Sequence, residues 1–319
     1  MHVILGASGQ VGSAIANQLI KNGEQVKGVV RDEKKAGKLK KSGAAVAIAD
    51  VSDLPSLVAA LQDGSTLFAL TPESGHERNV IGETKDILEN YRKALASSPI
   101  KKVVGLSSVG AQFETGTGNL MMSYLLEHAF TGMPIKQIFI RPAYYFSNWM
   151  MHLGSVVEKG ILPTFFPPDL SIPMVSPQEV AAYVANVIQK EEEDGKIFEL
   201  TGTAYSSKDV AKAFSDALGK EVKAVETPRE QWESTLHEIG FTPDAIRNFI
   251  EMTEVVISGQ VKPEKNGTIQ AKLKTTLKDY VQEHVPAEER TTAKNKSASK
   301  EEPTTTKGKT NSKRTKSKV

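Results

Sequence analysis

The segment Gly6-Ala7-Ser8-Gly9-Gln10-Val11-Gly12 follows directly on the apolar run Val3-Ile4-Leu5 and leads into Ser13-Ala14-Ile15-Ala16-Asn17-Gln18-Leu19-Ile20. Strand, glycine turn and helix, in that order, constrain the chain more than any other feature. Gly6 permits the tight turn off the strand, Gly9 leaves room for a pyrophosphate to approach the backbone, and Gly12 lets the helix pack closely on the sheet. The helix N-terminus, with Ser8, Gln10 and Val11 around it, presents unpaired N–H groups to the phosphates. The strand before and the helix after supply the context that a bare glycine triplet lacks.

The same rhythm continues to about residue 140. Apolar runs predict strands near 2–5, 26–30, 45–49, 66–70, 102–106 and 135–140, with helices near 10–22, 33–42, 53–62, 76–97 and 119–131 between them. This alternation predicts an α/β fold, a parallel doubly wound sheet with helices on both faces. Right-handed crossovers gather the C-terminal ends of the strands on one edge, where ligands bind. After Pro142 the rhythm breaks into an aromatic, proline-rich stretch containing Tyr144, Tyr145, Phe146, Trp149, Phe165 and Phe166. Such a stretch beside a ligand edge is either a substrate-pocket wall or ordinary core. Val180–Ile188 reads as a buried helix and Lys196–Thr201 as a seventh strand. Helices near 206–218 and 228–240 and a strand at 221–226 make a smaller C-terminal α/β lobe, closed by a helix near 275–285. The expected organisation is a nucleotide-binding core over 1–145 to which 176–202 return, a substrate lobe from 146–175 and 203–286, and a tail over 287–319.

The spacing G-x-x-G-x-x-G resembles that of extended and atypical short-chain dehydrogenase/reductase proteins. Further pieces narrow the likeness: Val29-Val30-Arg31-Asp32 at the end of strand two, Ala49-Asp50-Val51 at strand three, Ser107-Ser108 closing strand five, and Ile140-Arg141-Pro142-Ala143-Tyr144 with Asn148 behind it. Together they resemble the NmrA-like family of NADP-binding Rossmann proteins, over about residues 1–285.

Arg31 sits just past strand two, where the adenosine ribose of a dinucleotide lies. An arginine there pairs with a 2′-phosphate, whereas an acid binds the 2′-hydroxyl of NAD. Asp32, 20 residues after Gly12, offers the competing NAD reading. Alternation along the strand turns it away from Arg31's side, so NADP(H) is expected over NAD(H). The resemblance adds Asp50 and Val51 at the adenine, Leu70-Thr71-Pro72 beneath the ribose and pyrophosphate, and Ser107 and Pro142 beside the cofactor.

Short-chain dehydrogenases deliver a proton with Tyr-x-x-x-Lys on the helix after strand five. Aligning Glu127 with the family's helix glutamate puts Asn119 at the Tyr position and Ser123 at the Lys position, so both members of the pair are missing. Tyr124 lies one residue out of register, about 100° around the helix. Alcohol–ketone interconversion needs a proton delivered to an alkoxide, but a hydroquinone anion is a far weaker base. A dinucleotide and an aromatic slot suffice for such an acceptor through proximity and orientation. Within the family the resemblance implies either quinone reduction, by direct hydride transfer without flavin or metal, or binding of NADP(H) as a redox sensor that signals to a protein partner. Ser107, Tyr144 and Asn148 are the candidates to orient the acceptor. His152 lies beside the aromatic segment as a possible proton donor or a plain pocket-edge residue; none of the six histidines has metal-ligand spacing.

Composition trims the alternatives. The 319 residues contain no cysteine, which excludes disulfides and thiolate chemistry and fits a cytoplasmic location. The first strand begins too early to leave room for a signal peptide, and no apolar run approaches the about 18 residues of a membrane span. Residues 291–319 hold eight Lys and one Arg against Glu301 and Glu302, a charge of +7 that leaves −5 on the rest of a chain of net charge +2. This Lys/Ser/Thr-rich tail is expected to be disordered, as a solubilising extension or as a contact for anionic partners; the acidic body argues against nucleic acid.

Overall fold

The computed structural model describes residues 1–191, 193–264 and 266–290. The chain begins with β1 (His2–Ile4), α1 (Gln10–Lys21), β2 (Val26–Val30), α2 (Ala36–Lys41), β3 (Ala45–Ile48), α3 (Leu54–Leu61), β4 (Thr66–Leu70), α4 (Val80–Ala96), β5 (Lys102–Leu106), α5 (Leu120–His128) and β6 (Lys136–Pro142). It continues through β7 (Tyr144–Tyr145), α6 (Ser147–Met150), α7 (Leu153–Lys159), β8 (Ile161–Thr164), β9 (Ile172–Val175), α8 (Pro177–Gln189) and β10 (Ile197–Thr201). It ends with β11 (Ala204–Tyr205), α9 (Ser207–Leu218), β12 (Lys223–Glu226), α10 (Trp232–Glu238), α11 (Pro243–Ile257), β13 (Ile269–Lys272) and α12 (Leu277–His284).

The main sheet has the order β13-β10-β6-β5-β4-β1-β2-β3, and every pair in it is parallel. Chain order reverses between β1 and β4, which makes a crevice at their C-terminal ends. Period-two alternation sends side chains to both faces, and both are apolar. Ile4, Phe68, Val104, Ile138 and Ile140 join α1 and α8 in one core, while Val3, Leu5, Leu67, Val103 and Phe139 join α3, α4 and α5 in another. The doubly wound architecture is therefore as expected. Caps fix where several helices begin: Asp53 accepts Ser56 N–H, Asn79 accepts Gly82 N–H, and Ser206 and Asp209 form a reciprocal capping box.

A second packing unit gathers α6, α7, α9, α12, the β7-β9-β11 sheet and the β8-β12 pair around Phe146, Trp149, Leu162, Phe214 and Tyr280. The aromatic stretch divides here. Phe146 and Trp149 are buried core, whereas Tyr144, Phe165 and Phe166 are half-buried.

Several details differ from the sequence expectation. β13 falls in the stretch assigned to the lobe, yet it pairs with β10 as the eighth strand of the main sheet. The helix α11 was not expected. The helix near 76–97 starts only at Val80, leaving a loop over 71–79, and the one near 33–42 opens with a 3-10 turn, Glu33–Lys35. Residues 287–290, given to the tail, form a helical turn in which the Glu289 and Arg290 N–H groups reach Pro286 O at 3.1 and 3.3 Å. The rest of the expected disordered tail, 291–319, lies outside the described residues. Among the described residues no helix is long and apolar enough to cross a membrane.

Candidate functional site

The glycine turn occupies the crevice between β1 and β4. Gly6 has φ +61°, and a Cβ there would lie 2.9 Å from Leu70 Cδ2. A Cβ on Gly12 would lie 2.4 Å from Gly6 O, so it is the turn's own backbone, rather than a strand, that demands a glycine. Gly9 caps α1 in an extended conformation (φ −80°, ψ 172°) and its Cβ would meet only Gly6 O at 3.2 Å. A side chain at Gly9 thus meets one tight backbone contact, far milder than the clash at Gly12. No side chain caps α1, no acid stands in its first turn, and Ser8, Gly9 and Gln10 are exposed, with Val11 half-buried behind them. The donors and the positive end of the helix dipole are free for an anion. This cradle fits the pyrophosphate of a dinucleotide.

At the end of β2, Arg31 and Asp32 are both exposed and do different things. Asp32 accepts Lys34 N–H at 2.9 Å and caps the 3-10 turn. Arg31 is close enough to Asp50 to help hold that carboxyl below its ordinary pKa; the larger cause is Ser52, whose hydroxyl and N–H reach Asp50 Oδ1 at 2.6 and 2.9 Å. Val51 O accepts Asn90 Nδ2 at 3.1 Å, and Leu70 O accepts the Tyr91 hydroxyl at 2.8 Å. Both bonds tie the cofactor edge to α4. Thr71 and Pro72 are half-buried beyond Leu70.

Ser107 is 6% exposed and donates its hydroxyl to Glu127 Oε1 at 2.5 Å. Glu127 is in turn held by Arg141 Nε and Nη2, and Arg141 Nη1 also reaches Glu199 on β10 and Glu264 on the segment before β13. With its proton committed to a carboxylate, Ser107 belongs to a buried network that joins β5, α5, β6 and β10. Pro142 is buried at the end of β6, and its carbonyl accepts Val109 N–H at 3.1 Å.

Tyr144 packs edge-on against Phe166 at 5.6 Å and tilted on Trp149 at 5.8 Å. Burial pushes its pKa up to about 12, although Asn148 beside the hydroxyl pulls the other way. Tyr144 is therefore a phenol throughout the physiological range, suited to donating a hydrogen bond rather than a proton. Half-buried His152 has its pKa lowered by burial, so it is mostly neutral near pH 7.

Three features had escaped the sequence reading. Tyr280, from α12, accepts a hydrogen bond from Gln10 Nε2 at 3.4 Å, which brings the end of the fold onto the first turn. Asn119 donates its amide N–H to Glu73, on the loop after β4. The helix α11 lies over the start of α5: Asn119 N–H reaches Asn248 O at 3.3 Å, and a Cβ on Gly118 would come within 1.9 Å of that carbonyl. Of these, only α11 had a local signal, the capping sequence Thr242-Pro243-Asp244.

A model of the NmrA-like family matches residues 2–289. The chain belongs to the NmrA-like family. Among curated relatives, the NAD(P)H azoreductase of Xenophilus azovorans is 24% identical over 245 residues, covering 75% of this chain and 82% of that protein. Quinone oxidoreductase 2 of Escherichia coli is 24% identical over 259 residues, covering 80% and 87%. Among solved structures, the Escherichia coli NADPH-dependent quinone oxidoreductase in complex with NADPH superposes with a TM-score of 0.73 at 22% identity, covering 89% of this chain and 99% of that one. Citrobacter triphenylmethane reductase complexed with NADP(H) gives 0.71 at 20% identity, covering 89% and 99%. The NmrA-like membership and the Rossmann-type fold agree with the sequence reading.

Proposed function

We propose that this NmrA-like protein is an NADPH-dependent reductase of planar electrophiles, quinones first and azo compounds next. The observation that carries the reading is the pairing of an open dinucleotide cradle at Gly6–Gly12 with a helix that has Asn119 and Ser123 where an alcohol dehydrogenase would need Tyr and Lys. Such a site can hold the cofactor and orient an acceptor, but it lacks the pair that protonates an alkoxide. The names of the curated relatives support the same class. The bound dinucleotide supplies the hydride. Arg31, solvent-open at the rim with only the charge of Asp50 near it, supports NADPH over NADH, because among the described residues its guanidinium makes no salt bridge and Asp32 is spent on a cap. Tyr144 and Asn148 orient the acceptor. Ser107, sequestered by Glu127, supports them from below. The chemistry asks for no flavin and no metal.

Steady-state oxidation of NADPH with a panel of quinones, azo dyes and carbonyl compounds tests the proposal. Turnover is expected with the first two and not with simple ketones. Tight NADPH binding with no turnover on any acceptor would instead establish the sensor reading.

A further inference from the structure

The loop over 71–79 leaves the crevice end of β4 and carries Glu73 immediately after Pro72. The Glu73 residue is exposed, and its carboxyl bonds inward to Asn119. Its hydrogen-bond partner is the amide of Asn119, which is 6% exposed and whose Oδ1 has no partner at all. That amide is therefore oriented by Glu73 alone. It can serve both charge states of the acid: the N–H₂ end donates to a carboxylate, and after a flip the carbonyl end accepts from a carboxylic acid. Beside the pair runs a row of half-buried aromatic rings. Phe241 closes over Gly75, where a Cβ would lie 2.7 Å from the ring, and Phe249 and Phe165 follow at edge-to-face centroid distances of 5.8 and 5.6 Å.

We propose that Glu73, positioned by Asn119, delivers the proton to the hydroquinone anion faster than water does, an easier task than the alkoxide protonation for which Tyr and Lys are missing. This rests on the reductase reading above. The balance is simple: the dinucleotide gives two electrons and one hydrogen as hydride, the quinone becomes a hydroquinone anion, the Glu73 O–H bond breaks as the new phenolic O–H forms, and solvent returns a proton to the carboxylate.

The net effect of the surroundings is to hold the Glu73 pKa above the ordinary glutamate value. Burial raises the Glu73 pKa, the Asn119 N–H lowers it, and the charge on Glu77 raises it again. Several other charged groups nearby are engaged elsewhere, while the Arg78 side chain on the same loop is exposed. Glu83 on α4 takes the N–H groups of Arg78 and Asn79, His76 bonds Gly240 O, and Asp244 on α11 takes Val80 N–H and pairs with Arg247. Among the described residues no cation pairs with Glu73.

A cationic triphenylmethane dye provides the control, because hydride alone converts it to its neutral leuco form and no proton is needed. Glu73→Gln is expected to lower kcat/KM for a quinone on the order of a hundredfold, the lower end for general acid catalysis, and to leave dye reduction and NADPH affinity unchanged. The wild-type quinone rate should fall as pH rises through the Glu73 pKa, and the variant should lose that limb. Asn119→Ala removes the bond that favours the carboxylate and should move the limb to higher pH. Infrared titration of the free protein supplies a readout that needs no turnover: a carboxylic C=O band absent from Glu73→Gln should persist above the ordinary glutamate range. Equal effects of Glu73→Gln on quinone and dye, no effect on either, or ionisation of Glu73 in the ordinary range would each overturn the inference. Absence of wild-type turnover on both acceptors would overturn the reductase reading itself.

Discussion

Arg141 grips Glu127 through two parallel hydrogen bonds, Nε to Oε1 at 2.8 Å and Nη2 to Oε2 at 2.7 Å, with both side chains 4% exposed. The pair is the centre of the network that fastens α5 to the sheet beneath the candidate site. A buried pair contributes little relative to an apolar replacement, but removing Glu127 leaves the buried Nε and Nη2 donors of Arg141 without their acceptors, even though Nη1 keeps Glu199 and Glu264.

Glu127→Ala is therefore expected to destabilise the protein by about 3–5 kcal/mol, read as a drop in the urea midpoint. Ser107→Ala removes only a hydrogen bond to the charged Glu127 and should cost about 1.5–3 kcal/mol. If Ser107 supports the site rather than reacting in it, this variant, once folded, keeps its NADPH affinity and most of its kcat. A collapse of kcat at unchanged stability would put Ser107 back among the reacting groups.

Two glycines of the same turn should part company. Gly9→Ala sets its methyl 3.2 Å from Gly6 O, a contact relieved by a shift of a few tenths of an ångström, so the variant should fold with a modest loss of stability while NADPH affinity falls, because the methyl occupies the phosphate's approach. Gly12→Ala drives a methyl against the Gly6 carbonyl and should destabilise the fold itself. Thermal melts and calorimetric titrations on both variants check the contrast.

Cofactor choice should follow Arg31. Arg31→Ala is expected to weaken NADPH binding roughly tenfold to a hundredfold, the range of a charge-assisted pair, and to leave NADH nearly unaffected. The preference should shrink with added salt. Asp32→Ala should loosen the 3-10 turn without reversing the preference, because its carboxylate bonds Lys34 N–H. Equal wild-type dissociation constants for the two cofactors would remove the assignment.

A pH effect is expected where α8 meets the segment that leads into α12. Burial would raise the pKa of Glu179, but the N–H groups of Lys274 and Thr275, at 2.7 and 2.9 Å, outweigh it and the net shift is downward. A folded pKa below the unfolded one gives stability that is complete above the ordinary glutamate value of about 4.3 and is lost as pH falls through the folded value. Amide exchange at Lys274 and Thr275 should accelerate selectively in acid, and Glu179→Gln should show the same acceleration at neutral pH.

What could be read from the sequence was what had a local cause. The glycine turn declares itself because its strand, its backbone requirement and its helix are contiguous. For Arg31 and Asp32, alternation along one strand gave an order of preference, and the structure adds that Asp32 caps the 3-10 turn. By contrast, Ser107, Glu127, Arg141 and Glu199 lie on four elements, and no spacing along the chain announces that they meet. Strand β13 was missed because the alternation of Ile269 and Ala271 with Gln270 and Lys272 spans only four mostly exposed residues, too short a signal on its own; its pairing with β10 makes it a strand. The Glu73–Asn119 pair was missed for the same reason as the network: each residue is unremarkable until the loop after β4 and the start of α5 are side by side.

The contact between Gln10 and Tyr280 sets an order of events in the cell. Translation makes the glycine turn almost at once, but its neighbour on α12 only when most of the chain exists. A nascent or prematurely stopped chain that lacks the residues from Leu277 onward carries the whole nucleotide signature and none of the helix that rests on it. The first turn of α1 thus gains its α12 neighbour only near the end of synthesis, and a product that stops before Leu277 keeps the glycine turn without that contact.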